Sequence, residues 1–142
     1  MTVAQLNLRG RMVYGIACVI AYLRHCRVDL RQYAEEIEVL ARFTSAADLA
    51  AWEGAAKGVI YAKYPDEVLH ETIPALFDKL YWIGASELYG QPSDCRESEE
   101  ILVGLVALLR ENGVDVPAVG DYAAYALGNP VTTDDYFGEP FL

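Results

Sequence analysis

The longest uninterrupted apolar run in the chain, from Met12 to Leu23, limits its fold more than any other feature. A helix that spans a bilayer needs about twenty apolar residues, so this run is too short to cross a membrane. The surrounding segment, residues 9–26, is predicted to be a helix that is apolar over most of its circumference. Such a helix belongs at the centre of a bundle, with other helices packed around it.

The residues next to this run argue against export. Arginines precede it as in a signal peptide, but Arg24, His25 and Arg27 follow where a cleavable signal needs small residues. The three cysteines are an odd number without a short pairing motif, so we expect reduced, structural thiols and neither a disulfide framework nor a zinc site. A cytoplasmic location is the default expectation.

The spacing of apolar residues predicts five further helices. Three of them cover residues 30–42, 45–63 and 65–89. The fourth begins at a cap formed by Ser93 or Asp94 and ends at Asn112-Gly113, and a shorter fifth covers residues 117–127. Asp29 is the predicted N-cap of the first of these. Ser45 is expected to begin the next helix, in a capping box with Asp48. Pro74 is expected to kink or split the segment 65–89.

The whole pattern predicts an all-α fold, a single-domain bundle of five or six helices over residues 1–142. No segment has the alternation of a strand, and no repeat or linker divides the chain. Residues 130–142 form a nonperiodic, acidic and aromatic tail that either packs on the bundle or extends from it. Trp52 and Trp82 fit the apolar faces or margins of their helices and are expected to be core residues.

Two glycines one turn apart, Gly54 and Gly58, lie in the predicted helix 45–63. Each costs up to about 1 kcal/mol relative to alanine in an exposed helix interior. We expect close packing against a neighbouring helix of the same monomer to offset this cost, with a homodimer seam as the alternative. The chain is therefore expected to be a monomer or a homodimer.

Negative charge dominates the chain after its first third. Residues 1–42 carry six arginines and four acids, a balance of +2, whereas residues 43–142 carry five bases and seventeen acids, a balance of −12. Phosphate backbones repel such a surface, so nucleic acid is an unexpected partner, and a basic protein would be attracted to it.

The acids form three clusters. Two of them, Glu35-Glu36-x-Glu38 and Glu97-x-Glu99-Glu100, are expected to be solvated helix faces. The third combines acids with aromatic rings in the tail, which suits recognition of a basic protein partner. Its candidate partner-binding residues are Asp134, Asp135, Tyr136 and Glu139. In an equally open alternative, Phe137 and Phe141 staple the tail to the bundle.

The only spacing typical of a metal ligand pair is Glu67-x-x-His70, half of the motif found in di-iron bundles. The second half is absent, so no metal or other cofactor is expected and His70 is expected at the surface, paired with Asp66. No catalytic motif is present, which favours a non-enzymatic protein. A small helical enzyme or metal-binding bundle centred on Glu67 and His70 is the alternative.

Three stretches within the last sixty residues, Ile83–Gly90, Arg110–Val114 and Asp135–Phe141, resemble small, acidic, helical bacterial proteins, some of the immunity type that neutralise toxins made by the same cell. The resemblance implies a protein-binding module whose acidic surface covers a basic toxin. These proteins share no catalytic motif, so no site residue is carried over from them.

Overall fold

A computed structural model describes residues 1–89 and 96–128 as an all-α bundle, which confirms the predicted fold class. Its helices are α1 Leu8–His25, α2 Ala34–Ala41, α3 Leu49–Lys63, α4 Thr72–Tyr89 and α5 Arg96–Glu111. Short 3₁₀ segments cover Val3–Gln5, Leu30–Tyr33, Arg42–Ser45, Asp66–Val68 and Val119–Tyr125. Extended pairing within the described ranges is limited to one isolated bridge, between Leu6 and Ala126.

Helix α1 lies at the centre of this bundle, as its sequence predicts. It is buried from Gly10 to Ile20 and again at Leu23, and it packs against α2, α4, α5 and the last 3₁₀ segment. The Asn7 side chain begins the helix by accepting a 2.7 Å hydrogen bond from the Gly10 N–H. Over residues 1–89 and 96–128, no helix combines the length and the apolar character that crossing a membrane requires.

The predicted helix over residues 30–42 is divided into three pieces. Asp29 caps its start as predicted, accepting from the Arg31 N–H at 3.0 Å, but the first piece is the 3₁₀ segment Leu30–Tyr33. A 3₁₀ turn contains 3.0 residues rather than 3.6, so it shifts the rotational phase of the helix that follows. As a result α2 turns Glu36, Val39 and Leu40 inward.

Arg9 stabilises the end of this region. Its guanidinium donates to the carbonyl oxygens of Phe43 at 3.0 Å, Thr44 at 2.7 Å and Ala46 at 3.0 Å. Phe43 also accepts from the Ala46 N–H at 3.3 Å, and the arginine supplies donors to the carbonyls at the C-terminal end of the 3₁₀ segment Arg42–Ser45. The arginine therefore fixes the turn between α2 and α3 against α1.

Helix α3 begins later than its sequence suggests. The Asp48 carboxylate accepts from the Ala51 N–H at 3.1 Å and is the N-cap, whereas Ser45 ends the preceding 3₁₀ segment. The predicted start at Ser45 is therefore wrong, and Asp48 caps alone.

The predicted kink at Pro74 is also absent. Helix α4 begins at Thr72, which places Pro74 in its first turn. The N–H groups of a first turn have no partner inside the helix, so a proline there removes no hydrogen bond. The break lies earlier, between the 3₁₀ segment Asp66–Val68 and α4.

The end of α5 follows its prediction. Gly113 adopts a left-handed φ of 76°, its N–H donates to the Arg110 carbonyl at 3.0 Å, and the Val114 N–H donates to the Leu109 carbonyl at 3.1 Å. Its predicted caps, Ser93 and Asp94, lie outside the described residues. The segment predicted as a sixth α-helix is instead the 3₁₀ segment Val119–Tyr125.

Close helix packing occurs at a different glycine from the predicted pair. Gly54 and Gly58 are exposed, and a Cβ atom added to either would meet nothing within 4 Å. The prediction that they allow close packing within the monomer is therefore wrong. At Gly84 in α4, by contrast, an added Cβ would overlap the ring of Trp52.

We expect Gly84→Ala to lower the free energy of unfolding by about 1–3 kcal/mol, because the new methyl group must displace a buried indole. Gly58→Ala is the matched control on an open helix surface and should raise it by about 0.5–1 kcal/mol. Urea denaturation of both variants measures the difference. Equal shifts would contradict the packing described.

Candidate functional site

The candidate site is built on the contact between α3 and α4, which Trp52 holds together. Its indole is 5% exposed and its Nε1–H donates to the Val39 carbonyl at 2.8 Å. One ring edge packs on Phe43, with 4.8 Å between centroids, and the ring fills the space that Gly84 leaves. Trp52 therefore joins α2, α3 and α4, and its prediction as a core residue is confirmed.

Aromatic side chains continue outward from Trp52 to the surface. The Tyr81 ring stacks on Trp52 with a centroid distance of 6.2 Å, and its neighbours Tyr61 and Trp82 meet it edge-on at 5.1 and 5.3 Å. Trp82 is 39% exposed, so its prediction as a core residue is wrong. Adjacent helical residues point about 100° apart, and Tyr81 takes the inward direction.

Two half-buried carboxylates border these rings. The Tyr61 hydroxyl donates to Asp78 at 2.5 Å, and the Tyr81 hydroxyl donates to Glu53. Both bonds join α3 to α4, so each carboxylate is fixed in position by a tyrosine of the other helix. We call the set Glu53, Tyr61, Asp78, Tyr81 and Trp82 the aromatic–carboxylate face.

Burial and hydrogen bonds to carboxylates keep Tyr61 and Tyr64 in their neutral form. Burial raises the pKa of Tyr61 well above 10.0, and the hydrogen bond to Asp78 raises it further. The pKa of Tyr64 is raised first by burial and then by its hydrogen bond to Glu36. At neutral pH both hydroxyls therefore keep their protons and act as hydrogen-bond donors.

The prediction that Glu35, Glu36 and Glu38 form a solvated helix face is wrong for Glu36. Glu35 and Glu38 are exposed as expected, but Glu36 is 0% exposed. Its Oε2 accepts from the Tyr64 hydroxyl at 2.7 Å and from Lys63 Nζ at 3.0 Å. Its Oε1 has no hydrogen-bond partner within the residues described.

Lys63 links this buried carboxylate to the surface at the end of α3. Its ammonium donates to the Gln32 carbonyl at 2.9 Å and lies 5.2 Å from the centre of the Tyr33 ring and 5.7 Å from that of Tyr64. Cation–π contacts of this kind add to the ion pair with Glu36. They fix the C-terminal end of α3 against the start of α2.

An open groove of about 530 Å³ lies where the aromatic–carboxylate face meets the residues around the Glu36–Lys63 ion pair. Its wall contains Tyr61 from the aromatic–carboxylate face and Tyr64 from the Glu36 ion pair, together with Lys57, Pro65, Asp66 and Glu67. Asp66 and Glu67 are exposed, so they add negative charge at the rim. The groove extends the aromatic–carboxylate face around the end of α3.

The geometry does not build a metal site around Glu67 and His70. Glu67 lies in the 3₁₀ segment Asp66–Val68, whereas His70 lies between that segment and α4, so the two residues do not share the face of one α-helix. His70 is exposed as predicted, but no ion pair joins it to Asp66. Within residues 1–89 and 96–128, no three His, Cys, Asp or Glu side chains are grouped to hold a metal ion.

The cysteines differ in their surroundings. Cys18 is buried in α1, and burial raises the pKa of its thiol to about 12, which leaves it unreactive. Cys26 is also a free thiol, but it is exposed at the C-cap of α1. Cys95 lies outside the described residues.

The partner-binding residues predicted in the tail, Asp134, Asp135, Tyr136 and Glu139, lie outside the described residues. The aromatic–carboxylate face escaped the sequence prediction because its tyrosine–carboxylate pairs are 17 and 28 residues apart and belong to different helices. The one available signal was the adjacent pair Tyr81-Trp82, which cannot both turn inward.

Comparison with known protein families, with curated proteins and with solved structures finds no match to this chain. The resemblance to immunity-type proteins therefore stays a prediction.

We expect the folded protein to lose stability as the pH rises above about 10, where tyrosines of the unfolded chain lose their protons. The raised pKa values keep Tyr61 and Tyr64 protonated in the folded state, so the unfolded state binds fewer protons at these pH values. Their contribution is complete below pH 10 and decreases above it.

Ultraviolet titration of phenolate absorbance measures this difference. In urea all ten tyrosines should lose their protons over the same pH range, whereas in the native protein several should stay protonated until the protein unfolds. Tyr61→Phe/Tyr64→Phe should reduce the number of tyrosines that titrate late. Native and unfolded titration curves that coincide would show that these hydroxyls are not held as described.

Proposed function

We propose that this chain is a non-enzymatic protein-binding module that binds a basic protein through the aromatic–carboxylate face. The observation that carries the proposal is Trp82, a large apolar side chain exposed beside Tyr81, whose hydroxyl donates to the Glu53 carboxylate. Tryptophan, tyrosine and arginine contribute most to binding energy at protein interfaces. Trp82 would supply the apolar anchor, and the carboxylates would accept hydrogen bonds from arginine or lysine of the partner.

Preorganisation supports this role. Glu53 and Asp78 are already fixed by tyrosines of the facing helix, and the rings pack in series onto the buried Trp52. A partner would therefore immobilise few additional side chains when it binds, which lowers the entropic cost of association. A carboxylate oxygen can accept more than one hydrogen bond, so a cationic donor can add to these contacts.

The surface around the face also suits a close contact. Gly54 and Gly58 are exposed on α3, and nothing lies within 4 Å of where their Cβ atoms would be. A partner's backbone can approach such a surface more closely than one covered by long side chains. The net charge of −10 would steer a basic protein toward it and raise the association rate at low salt.

The specific form of the proposal is an immunity-like protein that neutralises a basic toxin made by the same cell. Its support is the acidic surface and the resemblance of the last sixty residues to that kind of protein. The tail residues Asp134, Asp135, Tyr136 and Glu139 would extend the acidic surface in the complex. The protein would act in the cytoplasm and would occlude the toxin's basic surface rather than catalyse a reaction.

Affinity capture from a lysate of the cells that make the protein tests this proposal. The wild-type chain should retain a basic protein in stoichiometric amount at low salt and lose most of it at about 0.5 M salt, where charges are screened within a few ångströms. Trp82→Ala should weaken Kd by roughly thirtyfold, the effect of losing a hot spot of about 2 kcal/mol. Glu53→Gln/Asp78→Asn should mainly slow association.

Glu97→Gln/Glu100→Gln is the matched control, because it removes two exposed charges from the first two turns of α5 and leaves α3 and α4 unchanged. The amides in Glu53→Gln/Asp78→Asn still accept the tyrosine hydrogen bonds, so the fold is retained. If the Trp82 variant and the control bind the captured protein equally well, the face is not the binding surface. An acidic or neutral captured protein would contradict the proposed complementarity of charge.

A further inference from the structure

Lys57 places a positive charge in the groove at the end of α3, whose rim is otherwise acidic. It lines the groove together with Asp66 and Glu67, and all three side chains are exposed. None of the ion pairs in the described part of the chain includes any of the three. The groove therefore presents both signs of charge to the solvent, and neither is taken up by an ion pair with the other.

Lys57 differs in this respect from Lys63, the next lysine on the same helix, which pairs with the buried Glu36. Lys57 stands four residues after Glu53, in the order that favours an ion pair on a helix, but no such pair forms. The Glu53 carboxylate accepts a hydrogen bond from the Tyr81 hydroxyl instead. The ammonium group of Lys57 is therefore available to a group outside the chain.

A positive charge at this position affects which basic proteins can bind. Net charge acts at a distance, so a uniformly acidic surface would attract every basic protein. Selective binding also needs an element that disfavours the wrong partners. At Lys57, a segment that carries only arginine and lysine brings like charges together. A segment with an acid at the same point forms an ion pair there.

We propose that Lys57 determines the specificity of the groove by selecting a partner segment that carries an acid beside an arginine. The acid pairs with Lys57, and the arginine pairs with Asp66 or Glu67. Arginine suits this position because a guanidinium group stacks on aromatic rings, such as that of Tyr61, and binds a carboxylate through two parallel hydrogen bonds.

The size of the groove is consistent with this occupant. Its volume of about 530 Å³ falls within the range of roughly 300–1,000 Å³ that is typical of pockets for drug-sized ligands, so it has room for both side chains. The inference rests on the proposed function, to which it adds the chemistry of the partner segment.

Two sets of immobilised synthetic peptides with equal net charge test the inference. In the first set arginine is the only charged residue, and each peptide of the second set carries one further arginine and one glutamate. At low salt the wild-type chain should bind the second set more strongly, by roughly threefold, which is the effect of one ion pair at a surface. Lys57→Gln should bind both sets equally.

Arg110→Gln is the matched control, because it removes the same charge from an exposed position on α5 that does not line this groove. It should keep the preference of the wild-type chain for the second set. A wild-type chain without that preference, or a preference that Lys57→Gln retains, would overturn the inference.

The Kd of the basic protein that the wild-type chain retains at low salt provides a second measurement. Long-range attraction alone predicts that a variant which loses a positive charge binds a basic protein more tightly. Arg110→Gln should follow this rule, whereas Lys57→Gln should weaken Kd by roughly threefold. If Lys57→Gln tightens binding while Trp82→Ala weakens it, the inference is overturned and the proposed function stands. If Trp82→Ala binds as the wild-type chain does, both are overturned.

Discussion

The contact of the Trp52 indole with Gly84 is the interaction on which the arrangement of α2, α3 and α4 depends. The ring needs a neighbour without a Cβ atom, and Nε1–H needs the Val39 carbonyl, so α4 and α2 are each fixed relative to α3. Tyr81 then stacks on the outer side of the same ring. The exposed position of Trp82 follows from that packing, because its neighbour has taken the inward direction.

Glu36 adds a polar constraint to this apolar packing. Burying a carboxylate is unfavourable unless it is paired, and here Lys63 and Tyr64, both from the end of α3, pair with one of its oxygens. An apolar residue could occupy the same volume, but it would not specify which residues of α3 lie beside α2. The ion pair therefore favours one alignment of the two helices, and this alignment places Tyr61 and Tyr64 along one groove.

Features set by local physics could be predicted from the sequence. The central position of α1 follows from its apolar circumference, and the Asp29 cap and the stop at Gly113 follow from backbone groups that need partners. Features that depend on tertiary contacts could not. A pair of helical glycines indicates a cost, but it does not show whether a neighbouring helix packs against them, and at Gly54 and Gly58 none does. The 3₁₀ segment Leu30–Tyr33 turned Glu36 inward against the apolar pattern. The carboxylate partners of Tyr61 and Tyr81 lie on another helix and gave no local signal.

The two indoles provide the most direct measurement of the central claim, that one packed contact buries Trp52 and leaves Trp82 exposed at the surface. Only two tryptophans are present, so their indole N–H resonances can be assigned with Trp82→Phe. A soluble paramagnetic agent should broaden the Trp82 resonance strongly and leave that of Trp52 almost unchanged, in keeping with exposures of 39% and 5%. Equal broadening of both resonances would contradict the account.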